Sequence, residues 1–223
     1  MRYLAPYLIL FAVIGTIFLI WPSIDLWFSG LFYEPESRFY LNKNSLVQAV
    51  YIGTKWLTGL AAVILLGMMA HTFVKPQHKT QRGPLLFLIL ALALGPGLMV
   101  NTVFKDQWDR ARPVHITEFG GDKQFTPPIV MSDQCEKNCS FVSGHPASGY
   151  VLLALGYLGA FANRRKWLIR GVIIGGFIGF GRIVQGGHFL SDVLFSFLVV
   201  LVTTHVLYLL FSHFGLLPKQ TRE

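Results

Sequence analysis

Nine positions between residues 105 and 192 combine into one kind of chemistry. Six residues separate Lys105 from Arg112-Pro113, Ser143-Gly144-His145 follows, and five residues separate Arg182 from His188, with Asp192 four positions further on. Lys105, Arg112 and Arg182 concentrate positive charge, and a guanidinium grips phosphate oxygens in a bidentate fork. Ser143 and Gly144 open a helix, where free N–H groups and the positive dipole end favour an anion. His188 and Asp192 stand one helical turn apart, so the carboxylate can hold the imidazole in one tautomer. Gly186 and Gly187 let the backbone come close to the bound group. His145 is available to protonate a leaving oxygen. An anion cradle, an oriented nucleophilic histidine and an acid histidine describe phosphoryl transfer through a covalent phosphohistidine, with positioned cations stabilising the charge. With no carboxylate cluster to hold Mg²⁺, no metal or cofactor is expected. A lone lysine–arginine pair is ordinarily a solvated face and a lone histidine a structural residue; the ordered set is what points to chemistry.

The elements that must position this set are membrane helices. The 223 residues are 53% hydrophobic and 13% charged, with a mean hydropathy of +0.52, against about 25% charged in a soluble domain. Nineteen Phe and five Trp exclude disorder, and two cysteines are too few for a disulfide scaffold. A bilayer core of about 30 Å needs about 20 apolar residues per helix. Segments at about 3–21, 50–74, 85–104, 147–163, 168–184 and 189–214 qualify or nearly so, the fourth and fifth being short and Gly-rich. The first ends in Trp21-Pro22-Ser23 without a small-residue cleavage pattern and reads as a retained span. The expected fold is all-α, a polytopic bundle of six transmembrane helices forming one membrane domain over 1–223.

Ten of the 19 lysines and arginines fall on the N-terminus, the short loops 75–84 and 164–170 and the C-terminal tail, Arg2, Lys219 and Arg222 among them. The opposite side carries eight on longer loops, with all the acids except Glu223. Cytoplasmic termini follow, so the nine positions fall on the outer side, which for a bacterial inner membrane is periplasmic. The net charge of +8 then reflects topology and anionic head groups, not nucleic acid. Lys55, near the outer end of the second span, is expected to snorkel. In segment 24–33, Ile24, Trp27, Phe28, Leu31 and Phe32 form the apolar face of an interfacial helix, either a connector or a platform guiding a lipid. The polar outer loop, 105–146, holds Cys135 and Cys139, which fit either a short disulfide loop or two free thiols.

The three pieces resemble the signatures of the type 2 phosphatidic acid phosphatase (PAP2) superfamily. That resemblance implies an all-helical bundle with its site at the non-cytoplasmic face. It implies His188 as nucleophile, Asp192 as its orienting partner, His145 as general acid, and Lys105, Arg112, Arg182, Ser143 and Gly144 around the phosphate. Val142 stands where the family usually has Pro, and Gly181 where it has Ser. Val103-Phe104-Lys105-Asp106, Phe119-Gly120-Gly121-Asp122-Lys123, Asn138-Cys139-Ser140-Phe141 and Gln185-Gly186-Gly187-His188-Phe189 look like the bacterial lipid A phosphatases of that superfamily, the 4′ type above the 1 type. A membrane lipid phosphate is the implied partner, and no protein partner is implied. Undecaprenyl diphosphate, phosphatidylglycerophosphate or phosphatidic acid as substrate, or transfer of the phosphate to a second lipid, would use the same residues. A channel would need charges deep in the spans, and a haloperoxidase sharing the cradle would be a soluble enzyme.

Overall fold

A computed structural model describes residues 4–105, 107–159 and 161–217. Arg2, Tyr3, Asp106, Lys219, Arg222 and Glu223, used in the readings above, lie outside the described residues. Helix α1 (Ala5–Ile20) ends at Trp21, which leaves the helical region before Pro22 as the steric restriction ahead of proline dictates. Helix α2 (Ser23–Gly30) restarts at 78° to it. A short hairpin follows, β1 (Tyr33–Glu34) pairing with β2 (Arg38–Phe39). Helix α3 (Ser45–Val74) is capped by Asn44, whose Oδ1 accepts from the N–H groups of Leu46 and Val47. Helix α4 (Arg82–Leu92) continues as a π-wound stretch, Ala93–Phe104, around Pro96. Proline has no N–H for the ladder, and the Asn101 carboxamide donates to the Pro96 carbonyl at 2.7 Å. Helices α5 (Gly144–Tyr150), α6 (Phe161–Val184) and α7 (Leu190–His213) complete the bundle.

Among the described residues four helices are long and apolar enough to cross a membrane, or five if the bent α1–α2 pair counts as one span. The stretch expected as the fourth span differs. It is α5 followed by a 3₁₀ segment, Val151–Tyr157, and is too short to count. It nevertheless lies antiparallel along α6. Gly149 abuts Gly175, Gly171 abuts Leu153, and Gly156 abuts Arg164, each so closely that a Cβ would force a shift. Small residues let membrane helices approach this way, and a 3₁₀ segment rises about 2.0 Å per residue, so it covers depth with fewer residues than an α-helix.

Helix α7 is the buried centre, with Phe195, Leu198 and Val200 in one core with Phe87, Val100 and Phe141. Helix α3 is outermost, presenting Trp56, Leu57, Leu60 and Val63 outward. On α2 the apolar stripe divides. Phe28 and Phe32 pack on the bundle, while Trp27 and Leu31 are exposed and the fully buried residues are Asp25 and Ser29. The outer loop is pinned by a second core of Phe39, Ala111, Ile116, Phe119 and Phe189, and Cys135 is bonded to Cys139.

Candidate active site

The helix ends at one end of the bundle converge on a cavity of about 390 Å³. Of the eight expected site residues it is lined by Lys105, Arg112, Gly144, His145, Arg182 and His188. Ser143 and Asp192 are fully buried behind that lining. Its wall also includes Tyr51, Lys55, Asn101 and Asn138, and no carboxylate among the described residues.

The back of the site is built around Asp192. Its position in the first turn of α7 suits a carboxylate, and Oδ2 accepts from the Phe189 N–H at 2.9 Å and from the Ser140 hydroxyl at 2.5 Å. Oδ1 accepts from Arg110 Nη1 at 2.6 Å. The same guanidinium donates to Asp25 Oδ2 at 2.9 Å and to the Thr126 carbonyl at 2.8 Å, and it lies over the Phe189 ring, 4.3 Å from the centroid. Asp25 in turn accepts from the Ser191 N–H at 2.8 Å. Arg110, Asp25 and Asp192 have no exposed side-chain surface.

His188 is oriented by a backbone carbonyl as well as by the neighbouring Asp192. Its Nδ1 lies 3.6 Å from Asp192 Oδ2, beyond hydrogen-bond range, and 2.8 Å from the Ser140 carbonyl oxygen. A carbonyl only accepts, so Nδ1 carries the proton and the Nε2 lone pair is left for chemistry. Burial, against the pull of Asp192, holds the His188 pKa well below the ordinary imidazole value, so the ring is neutral at pH 7.

The front of the site is unsatisfied. Ser143 Oγ, His145 Nε2 and Arg182 Nε are buried without a hydrogen-bond partner among the described residues. Orphaned buried polar atoms are rare and call for an explanation; here Ser143 and Arg182 belong to the expected anion cradle and His145 is the expected general acid. Burial, with Arg182, Lys105, Lys55 and Arg112 nearby, lowers the pKa of His145 to about 3. Its ring stacks on Tyr51, 4.5 Å between centroids, and the Arg182 guanidinium lies over the same phenol at 4.5 Å. Lys55 does not simply snorkel: its Nζ donates to the Tyr51 hydroxyl at 2.9 Å and lines the cavity. The two glycines also admit neighbouring side chains. Gly186, at φ +67°, fits under the Phe39 ring, and Gly187 under the Arg182 guanidinium.

The sequence reading did not assign a site role to Arg110, Asp25, Ser140, Tyr51, Asn101 or Asn138. Arg110 sat in view two residues before Arg112, and Asp25 was the acid on an otherwise apolar helix. Tyr51 and Lys55 carried the i, i+4 spacing of one helix face. Asn138 and Ser140 stood within the Asn138-Cys139-Ser140-Phe141 stretch of the resemblance but without a role, and nothing local marked Asn101.

Helix ends around a wall with four cations suit an anionic group, and the chain is a phosphatase of the PAP2 superfamily, whose family model matches residues 84–215. It is 38% identical over 198 residues to a protein of Francisella tularensis subsp. novicida (strain U112) named lipid A 4′-phosphatase, covering 86% of this chain and 88% of that one. A Rhizobium leguminosarum protein of the same name is 27% identical over 212 residues, covering 84% and 87%. One from Rhizobium etli is 37% identical over 112 residues, covering 50% and 44%. No solved structure matches the chain. Asp25, Tyr51 and Lys55 lie before the family-matched residues.

Proposed function

We propose that the chain is an integral-membrane phosphatase that removes the 4′-phosphate of lipid A through a phosphohistidine on His188. The observation that carries this reading is a junction of two cavities. The polar one, with four cations in its wall, shares Thr54, Thr58 and Ser148 with an apolar groove of about 470 Å³ between α3, α4, α5 and α6. A phosphorylated lipid needs a site for each of its ends, and this pair supplies both. The shared name of the relatives supports lipid A as that lipid.

In this reading the phosphate enters among Lys105, Arg112 and Arg182 and takes the N–H groups at the start of α5. Ser143 Oγ and Arg182 Nε then gain the acceptor they lack. The negative charge of the substrate phosphate favours the protonated His145 ring, opposing both the burial and the neighbouring cations that keep it neutral in the free protein. His188 Nε2 attacks phosphorus, the bond to the lipid oxygen breaks, and His145 gives that oxygen its proton. The Asp192 carboxylate, 3.6 Å behind His188 Nδ1, balances the positive charge that builds on the ring. Water, deprotonated by His145, then attacks the phosphohistidine, releasing inorganic phosphate and restoring the imidazole.

The topology belongs to the same proposal. With α5 and its 3₁₀ extension crossing beside α6, the chain crosses six times, and Lys75, Lys79, Arg82 and Arg164 lie at the end away from the cavity, which makes that end cytoplasmic and the site periplasmic. The test is purified protein in detergent with lipid A and excess EDTA, read by mass spectrometry. Loss of one phosphate, mapped by fragmentation to the distal sugar, is the expected result. Loss from the proximal sugar would move the position, and an unchanged spectrum would overturn lipid A as substrate.

A further inference from the structure

One contact in the cavity wall is not accounted for by the phosphate reading. Asn138 sits inside the loop closed by the Cys135–Cys139 bond, with a left-handed backbone at φ 54°. Its side-chain Oδ1 accepts from Lys105 Nζ at 2.8 Å. Its carbonyl oxygen accepts from Arg112 twice, from Nη2 at 2.6 Å and Nε at 3.2 Å. One residue therefore holds both cations of the first motif, 26 and 33 positions away in sequence. It does so without occupying their whole capacity. Arg112 has five donors and uses one edge on Asn138, and an ammonium can bond an amide and a phosphate together.

We propose that Asn138, held in place by the Cys135–Cys139 bridge, is a positioning residue that fixes Lys105 and Arg112 in register for the phosphate. The bridge is well placed for this. Cys139 is fully buried, and the residue after it, Ser140, holds His188 through its carbonyl and Asp192 through its hydroxyl. Asn138-Cys139-Ser140 thus ties the cations to the nucleophile in three consecutive residues. A short covalent loop restricts how far Asn138 can wander, and holding both cations in advance removes an ordering penalty from phosphate binding.

The inference rests on the reading of Lys105 and Arg112 as phosphate ligands, so its test reads phosphate binding directly. Inorganic phosphate affinity is measured by calorimetry on wild type, Asn138→Ala, Asn138→Asp and Cys135→Ser/Cys139→Ser, beside the melting temperature of each. Loss of one hydrogen bond to a charged group weakens phosphate by about tenfold in Asn138→Ala. Asn138→Asp binds more weakly still, because its carboxylate neutralises the cations that phosphate needs. The serine pair falls at least as far as Asn138→Ala. With substrate, KM rises more than kcat falls, a split that simple loss of folded protein does not give. Should the serine pair fail to fold, the two Asn138 variants at unchanged melting temperature decide the matter. Unchanged phosphate affinity in both would overturn this inference alone. No phosphate binding by the wild-type chain would overturn the cradle reading and this one with it.

Discussion

The back and the front of the site are built on opposite rules. Behind His188, Asp192, Arg110, Asp25, Ser140 and Ser191 use one another's donors and acceptors with no exposed surface on the ion triad. In front, Ser143 Oγ, His145 Nε2 and Arg182 Nε have no partner among the described residues. A satisfied buried network is rigid and holds one geometry, whereas unsatisfied donors in a dry pocket are held in readiness for charge that arrives later. Stability and activity should therefore separate on substitution: back-wall changes lose both, and front-wall changes lose binding alone.

The largest effect is expected where the two meet. His188→Ala removes the nucleophile while leaving the cradle, so turnover falls to background and vanadate still binds the folded protein. Full activity in that variant would dismiss the covalent route. Arg110→Leu comes next. It leaves Asp25 and Asp192 buried without their cation, an arrangement that destabilises by about 3–5 kcal/mol, and both melting temperature and kcat fall. Asp25→Asn keeps the Arg110–Asp192 pair and lowers both to a smaller degree. A normal melting temperature in Arg110→Leu would mean that the back wall does not hold the fold.

The comparison also explains what could be read in advance. The front wall was legible because its residues work through charge and a helix start, and such signals survive in sequence as types and spacing. Of the back wall only Asp192 was legible, through its i, i+4 spacing from His188. Asp25 lies 85 positions from Arg110, and only the bend after α1 folds α2 back over α7. Ser140 holds His188 through a backbone carbonyl, which every residue possesses, and only its hydroxyl bond to Asp192 depends on its type. The membrane class was plain from apolar run length. The winding of the stretch expected as the fourth span, a short α-helix passing into a 3₁₀ segment, was not legible, because run length does not report winding.

Acidity tests both walls at once. The two site histidines are neutral in the folded protein, the pKa of His145 lying near 3 and that of His188 well below the ordinary value. The unfolded chain titrates its histidines near 6.5, so below that pH it binds protons that the folded chain refuses. Stability is therefore present above about 6.5 and lost as the pH falls, by up to about 1.4 kcal/mol per pH unit for each ring. Melting temperatures in detergent between pH 7.5 and 5 should fall accordingly, with a shallower decline in His188→Ala. A flat profile would mean that these rings are not buried neutral.

The smallest effect is the sharpest on the front wall. Ser143 Oγ is buried with no partner among the described residues, so Ser143→Ala removes an unsatisfied hydroxyl and, in the absence of ligand, leaves the melting temperature unchanged or slightly higher. The hydroxyl becomes useful once a phosphate oxygen accepts from it, and a hydrogen bond to a charged group contributes about 1.5–3 kcal/mol. Vanadate affinity and kcat/KM should thus fall by about tenfold or more while the apo protein stands firm. A variant that loses apo stability and keeps vanadate affinity would place Ser143 with the satisfied back wall and dissolve the distinction between the two.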